Sequence, residues 1–200
     1  MNTNPKRRER LTLELLTTVE KHHNMSQRGL AREMGIALGL TNSYLKRCVH
    51  KGWIKITNAP ANRYLYYLTP AGFSEKSRLT AKYLISSLTF YREAGKSCTR
   101  IFCECSDAGY QKLLLVGDSD LAEIGSIRSL DTEIEVIGVY DPGASRVRCI
   151  GRPVWTNYRD AKIHDAVVVT ELADPVGMLK HLKSIVGATP ILTLDILPLD

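Results

Sequence analysis

The segment from residue 26 to residue 69 restricts the fold of this chain more than any other. Ser26 is suited to begin a helix, because its hydroxyl accepts a hydrogen bond from a free backbone N–H. Gly35 permits the left-handed turn that ends this helix, and a second helical pattern runs from about Leu38 to Lys51. Two strand-like segments around a Pro-containing turn, Trp53–Ile56 and Arg63–Leu68, follow directly. This order predicts a helix-turn-helix with a basic hairpin behind it, which is a winged helix-turn-helix.

Polar and basic residues of this segment are candidate contacts to DNA. The second helix of such a module lies in the major groove, so polar residues near its start face base edges. Asn42 is a candidate for pairing with adenine, and Ser43 for contacting a base or a phosphate. Basic residues on the helices and the hairpin are candidate phosphate or minor-groove contacts: Arg28, Lys46, Arg47, Lys55 and Arg63. For each single position, a merely solvated side chain is the alternative.

Residues 10–93 resemble a known family. The stretches SQRGLAREMGI, KGWIKI and YLYYLTPAGFSEKSRLT are similar to the winged-helix regulators of the MarR type, and especially to the subgroup associated with exopolysaccharide (EPS) gene clusters. The resemblance implies a homodimer that binds double-stranded DNA. Ala37 departs from the pattern, because the family often has a helix-capping Ser there.

A long helical pattern follows Pro70 and is expected to end near residue 94, where Gly95-Lys96-Ser97 would break it. The family resemblance implies that this helix, with its apolar stripe, forms a dimer contact, and packing onto its own domain is the alternative. We therefore predict three parts: a winged helix-turn-helix domain at 1–95 with a dimerisation helix at 70–94, a Cys-containing linker at 96–110, and a second domain at 111–200.

The predicted linker holds Cys98, Cys103 and Cys105. Three thiols this close are able to bind metal or sense oxidants, but their spacing is not a usual zinc pattern. A short strand with small buried side chains is the favoured interpretation. We predict no metal site, and we expect the thiols to be reduced in a cytosolic protein.

The charge along the chain also divides it in two. Residues 1–97 carry 17 Lys+Arg and 6 Asp+Glu, and residues 98–200 carry 10 and 15, so the net charges are +11 and −5. A basic half joined to an acidic half favours a polyanion-binding module fused to another domain. No apolar run reaches the ~18 residues of a membrane span, and no hydrophobic stretch follows the basic start. We therefore expect a cytoplasmic protein without membrane contact.

The acidic half alternates apolar strands with helices, which predicts a parallel sheet covered on both faces. The predicted fold class is thus an α+β winged helix-turn-helix followed by an α/β Rossmann-like domain. The stretches LLLVG, EVIGVYDP, IGRPVW and DAVVVT lie within residues 111–171. Through them this part of the chain loosely resembles the nucleotide-sugar-binding domains of sugar acetyltransferases and polysaccharide-linked epimerases. Ligands of such sheets bind beyond the carboxyl ends of the strands. The candidate ligand-binding residues at those ends are Gly117, Asp118, Ser119, Asp141 and Thr170.

The glycine loop departs from the dinucleotide pattern, because GxGxxG is replaced by GDSDLA from Gly117 onward. Its two carboxylates stand where a pyrophosphate approaches the helix, and a close like-charge contact costs about 1–4 kcal/mol. This disfavours NAD, so we name no cofactor. A ligand with fewer phosphates, a metal-bridged phosphate and a scaffold without ligand remain open. Arg146, Arg148 and Arg152 either form an anion site or are solvated.

These patterns together predict a homodimeric DNA-binding transcription regulator. Its second domain would sense a small ligand such as a nucleotide or nucleotide-sugar, and the resemblance implies control of exopolysaccharide genes. His164 and His181 have no spaced partner for acid–base chemistry, so we do not expect an enzyme. A redox- or metal-responsive regulator and a relic of a nucleotide-sugar enzyme are the alternatives.

Overall fold

A computed structural model describes residues 5–59 and 63–199, apart from the side chains of Ala59 and Arg63. The chain forms two compact units, Met1–Ser87 and Leu88–Asp200. Within the described part of the chain, no helix is both long enough and apolar enough to cross a bilayer.

The first unit has the predicted winged helix-turn-helix fold. Its elements, before a long fourth helix begins, are α1 Pro5–Lys21, α2 Gln27–Glu33, α3 Leu38–His50, β1 Ile54–Ala59 and β2 Arg63–Leu68. The two strands pair antiparallel, with Ile54 opposite Leu68. Residues 60–62 of the predicted turn lie outside the described residues.

Local sequence signals set the geometry of this unit. The Ser26 hydroxyl accepts a hydrogen bond from the Gly29 N–H at 3.1 Å and so caps α2. Gly35 has a φ of +61°, which a residue with a Cβ rarely adopts. Ala37 precedes α3 without a capping side chain, as its departure from the family pattern predicts. The core is formed by apolar residues of all five elements, among them Leu15, Leu16, Leu30, Leu45, Cys48, Ile54 and Tyr66.

The fourth helix contradicts the prediction. α4 is a 38-residue helix from Pro70 to Asp107, so it does not end at 94 and residues 96–107 are not a linker. Gly95 costs a helix about 1 kcal/mol relative to Ala. Burial on both sides of Gly95 outweighs this, because four apolar residues of α4 at helical spacing lie in the core of the second unit: Ala94, Cys98, Phe102 and Cys105. The tertiary core therefore overrides the local signal of Gly95.

The second unit holds a six-stranded sheet. Its elements after α4 are β3 Lys112–Val116, α5 Asp120–Arg128, β4 Glu135–Tyr140, β5 Arg148–Cys149, β6 Arg152–Trp155, β7 Ala166–Val169, α6 Pro175–Ile185 and β8 Ile191–Thr193. The order across the sheet is β5-β6-β4-β3-β7-β8, and every pairing is parallel except that of β5 with β6. β3, β4, β7 and β8 are apolar strands of the kind that the alternating sequence pattern predicts, whereas β5 and β6 are not apolar runs and were not predicted.

The order of the strands decides where their carboxyl ends meet. From β3 the chain moves through α5 to β4 on one side, and later it returns to β7 on the other side. Right-handed crossovers that run in opposite directions leave a crevice where the direction changes, between β3 and β7. The last four positions of β3, from Leu113 to Val116, and all of β7 are buried, so both strands lie in the apolar core.

Candidate nucleic-acid interface

Helix α3 has one buried face and one exposed face. Thr41, Tyr44, Leu45 and Cys48 are buried in the first unit. With 3.6 residues per turn, the opposite face is formed by residues that are all exposed: Gly39, Ser43, Lys46 and His50. The polar side chains on this face have no hydrogen bond or ion pair within the described part of the chain. They are therefore available to a partner.

The predicted contacts on α3 divide between this face and its two flanks. Ser43 and Lys46 lie on the exposed face. Asn42 is half-buried on the flank that faces the hairpin. Arg47 is half-buried on the other flank, in a recess that includes Arg8 and Glu75. The structure therefore brings Asn42, Ser43 and Lys46 together and sets Arg47 apart.

The remaining predicted contacts lie on neighbouring elements. Arg28 on α2 and Lys55 on β1 are exposed. The predicted contact through the Arg63 side chain lies outside the described part of the structure.

The hairpin tyrosines differ among themselves. Tyr66 is buried, whereas Tyr64 is 54% exposed and Tyr67 is 38% exposed. Tyr67 stacks on His23, with 5.4 Å between the ring centroids.

A cleft of about 690 Å³ separates α3 from the hairpin. It is lined by Gln27, Asn42, Leu45, Lys46, Val49, His50, Ile56, Tyr64 and Tyr66. The Asn42 Oδ1 atom is buried and accepts no hydrogen bond from the described residues. His50 and Tyr64 are additional candidates that we did not predict. The signal for His50 is its spacing, seven residues beyond Ser43 on the same helix face.

The five candidate ligand residues of the second unit do come together at the carboxyl ends of the strands. The Asp118 N–H donates to Asp141 Oδ2 at 2.8 Å, and the Ser119 hydroxyl donates to the Thr170 carbonyl at 2.5 Å. The Thr170 hydroxyl lies 2.8 Å from the Gly117 carbonyl. Gly117 has a φ of +104°, and a Cβ on it would lie 2.5 Å from the Glu171 nitrogen. These contacts join the loops after β3, β4 and β7.

Arg146 neutralises the carboxylates of this cluster. Its Nε lies 2.7 and 2.8 Å from the two carboxylate oxygens of Asp118, and its Nη1 lies 2.6 Å from Glu123 Oε1. The Asp118 side chain is only 10% exposed. Hydrogen bonds to Asp118, and then to Glu123, raise the pKa of the Arg146 guanidinium. Arg146 is thus neither merely solvated nor an unoccupied anion site.

The other two arginines of this region donate to the protein itself. Arg148 donates to the Gly151 carbonyl at 2.9 Å. Arg152 donates to the Val136 carbonyl and to the Ser129 hydroxyl. They therefore fix the strand ends and the connecting loop.

The three clustered cysteines lie on α4, so the predicted strand is wrong. Cys98 and Cys105 are buried and Cys103 is exposed. At a rise of 1.5 Å per residue, Cys98 and Cys105 are separated by about 10 Å along the helix. Burial raises the pKa of Cys98 to about 12 and that of Cys105 to about 11, which keeps both thiols protonated at neutral pH.

Among the described residues, no group of three or more His, Cys, Asp or Glu side chains is placed to hold a metal ion. The two histidines of the second unit do have partners. His164 lies 2.9 Å from the Tyr158 hydroxyl and His181 lies 2.8 Å from the Tyr140 hydroxyl.

Comparison with known proteins supports the fold of the first unit. Residues 8–55 match a family model described as winged helix-turn-helix DNA-binding. The similarity to DNA-binding domains therefore covers most of α1 and all of α2 and α3. No curated protein sequence matches the chain.

Three solved structures illustrate the structural similarity. Apo wild-type MarR from E. coli is 21% identical, with 34% of this chain and 53% of that chain covered and a TM-score of 0.32. The PcaV transcriptional regulator of Streptomyces coelicolor, solved with its natural ligand, is 18% identical, with 40% of this chain and 58% of that chain covered and a TM-score of 0.38. The zinc-responsive MarR family member ZitR of Lactococcus lactis is 18% identical, with 48% of this chain and 65% of that chain covered and a TM-score of 0.35. The chain thus spans between about half and two thirds of the length of these proteins.

Proposed function

We propose that this chain is a DNA-binding transcription regulator of the MarR type. The observation that carries the proposal is the exposed face of α3, where Ser43, Lys46 and His50 have no partner in the described part of the chain. Side chains on such a face reach base edges and phosphates when the helix lies in the major groove. The family model matched by residues 8–55 supports the same function.

The contacts divide by chemistry. Asn42 and Ser43 read bases, because an amide and a hydroxyl both donate and accept hydrogen bonds. The cations Arg28, Lys46, Arg47, Lys55 and Arg63 bind phosphates, which positions the protein without reading sequence.

We propose that the regulator is a homodimer formed through α4. Every residue from Thr80 to Thr89 is exposed, and Tyr83, Leu84 and Leu88 are exposed by 61%, 56% and 46%. A helix that presents apolar side chains on several sides to water is stabilised by a partner. A second copy also gives two recognition helices, which read half-sites about 34 Å apart.

We propose that the second unit is a Rossmann-like effector domain. Its parallel strands follow the spatial order third, second, first, fourth and fifth, which is the order of that fold. A nucleotide or nucleotide-sugar would bind beside Gly117, Asp118, Ser119, Asp141 and Thr170. For Arg146 to bind its phosphate, the guanidinium would have to leave Asp118, and that carboxylate would then be uncompensated and would repel the anion.

Regulation would then be a population shift, in which ligand favours one arrangement of the two recognition helices. We propose a cytoplasmic, non-enzymatic protein. Control of exopolysaccharide genes is supported by the resemblance of residues 10–93 alone.

The function is tested by selecting binding sites from a random duplex library with the full-length protein. We expect enrichment of an inverted repeat whose half-sites lie about one helical turn apart. A library that stays unenriched while the protein remains folded by circular dichroism would overturn the proposal.

A further inference from the structure

The cleft between α3 and the hairpin lies where the backbone of a bound DNA duplex would have to pass. A duplex has a single sugar-phosphate strand between its major groove and the neighbouring minor groove. If α3 lies in one groove and the hairpin in the other, that strand must pass through the space between them. The cleft of about 690 Å³ is this space.

The chemistry of the cleft suits an anionic strand. Lys46 supplies a fixed positive charge, and His50, Gln27 and the Tyr64 hydroxyl supply hydrogen-bond donors along the walls. Leu45, Val49 and Ile56 form apolar parts of the lining that suit a sugar. The described lining includes no carboxylate, so it places no negative charge against a phosphate.

We infer that the cleft seats a sugar-phosphate strand and that His50 contacts a phosphate there, taking up a proton when DNA binds. This inference rests on the proposed function and adds to it a contact outside the predicted set and a dependence on pH.

The direction of the pH dependence follows from the groups around His50. Imidazole changes its charge between pH 5 and 8. Lys46 on α3 is the charged side chain of the described lining besides His50, while Gln27 on α2 and Tyr64 and Tyr66 on the hairpin carry no formal charge. A phosphate bound in the cleft adds a negative charge beside His50 and favours the imidazolium. DNA affinity is therefore greatest at low pH and falls as pH rises and this proton is lost.

The experiment measures the dissociation constant of the full-length protein for a fluorescein-labelled 30-bp duplex of random sequence. A random duplex is sufficient because a phosphate contact does not depend on sequence. Anisotropy titrations run from pH 5.8 to pH 8.0 at constant ionic strength, since salt alone changes affinity steeply. We expect the dissociation constant of the wild type to increase about 3- to 10-fold over this range.

Two variants assign the effect to His50. His50→Gln should bind equally at all pH values, with the affinity that the wild type has at pH 8.0. His50→Arg should also lose the pH dependence, but with the affinity that the wild type has at pH 5.8. The matched control is His22→Gln, an exposed histidine outside the cleft, which should keep the dependence of the wild type.

The outcomes separate this inference from the function on which it rests. If His50→Gln retains the full pH dependence, or if the wild type has none, the assignment of His50 is overturned while DNA binding stands. If the folded wild type binds no duplex at any pH, the proposed function fails as well.

Discussion

The exposed face of α3 and the strand-end cluster of the second unit both gather polar side chains, but they differ in how these are satisfied. On α3, Ser43, Lys46 and His50 are exposed and have no partner in the described part of the chain. In the cluster, the Asp141 carboxylate accepts from the Asp118 and Gly143 N–H groups, and Arg146 pairs with Asp118. The polar groups on α3 are therefore available to a partner, whereas those of the cluster are already paired with one another.

Because of this difference, the structure supports DNA binding by α3 more strongly than ligand binding by the strand-end cluster. DNA can bind the α3 face without breaking any contact of the described residues. A ligand that takes Arg146 as a contact must break the Arg146–Asp118 pair, and the free energy of that step reduces its apparent affinity. Such a ligand must therefore make contacts whose free energy exceeds that of the lost pair.

The largest effect is expected at the open surface of α4. Leu84→Glu combined with Leu88→Glu places two charges in the proposed dimer contact, where like charges and desolvation oppose association. We expect monomers by sedimentation velocity and at least a 100-fold loss of affinity for a selected site, because the second half-site no longer contributes.

The folded state should be retained in this variant, because both leucines are exposed. Ser77→Glu, an exposed position before the 80–89 stretch, is the control and should remain dimeric. A dimer that survives both leucine substitutions would place the contact elsewhere.

The next largest effect concerns the satisfied cluster. Arg146→Ala leaves the nearly buried Asp118 carboxylate without its cation. We expect a loss of about 1–2 kcal/mol in the free energy of unfolding, less than for a fully buried pair because Arg146 is itself partly exposed. Urea unfolding measures it.

Arg148→Ala is the matched control, since that exposed guanidinium donates to the Gly151 carbonyl alone within the described contacts. This substitution should lower the free energy of unfolding by less than about 0.5 kcal/mol. Equal losses for the two variants would mean that the cluster is not held by the Arg146 pairs.

A smaller effect is expected from Asp195, which follows β8. Hydrogen bonds from Ser97 and Arg100 hold the pKa of its carboxyl below the ordinary value. A lowered pKa stabilises the folded state above the unfolded value of about 3.9, and this stabilisation is lost as pH falls through the lower folded value.

Asp195→Asn should therefore lower the thermal midpoint by about 1–2 °C at pH 7, and the difference from wild type should shrink toward pH 2. The exposed Asp160→Asn serves as control and should have no effect. A difference that grows as pH falls would reverse the assigned sign.

The smallest effect concerns the thiols of α4. In the native protein at pH 7.5, Cys103 should react with a thiol reagent, while Cys98 and Cys105 should react only after unfolding, because burial raises their pKa. Mass spectrometry of alkylated peptides distinguishes the three. Rapid native labelling of Cys98 would revive a redox role for this segment.

Sequence reasoning succeeded where the signal was local. Ser26, Gly35 and the spacing of Leu30 and Met34 are sufficient to place α2 and its turn, and apolar runs are sufficient to place β3, β4, β7 and β8. It failed at Gly95, because the burial of Ala94 and Cys98 in a distant core outweighs a local helix breaker.

Long-range pairing explains the remaining failures. The role of Arg146 depends on Asp118 and Glu123, which the fold brings to it from far along the chain. Strand β6 carries an Arg and a Pro and is only half-buried, so it lacks the apolar run that identifies a central strand. Neither feature has a signature within a short window of sequence.

The central claim is that the α3 face reads DNA sequence, and one comparison tests it most directly. Dissociation constants for a selected site and for a random duplex are measured in wild type, Asn42→Ala/Ser43→Ala and Lys55→Ala. We predict that the double variant loses most of the preference for the selected site, by about 10- to 100-fold. Lys55→Ala should weaken binding to both duplexes by the same factor. It should also reduce the slope of log affinity against log salt concentration by about one. Equal loss of preference in the two variants would contradict the claim.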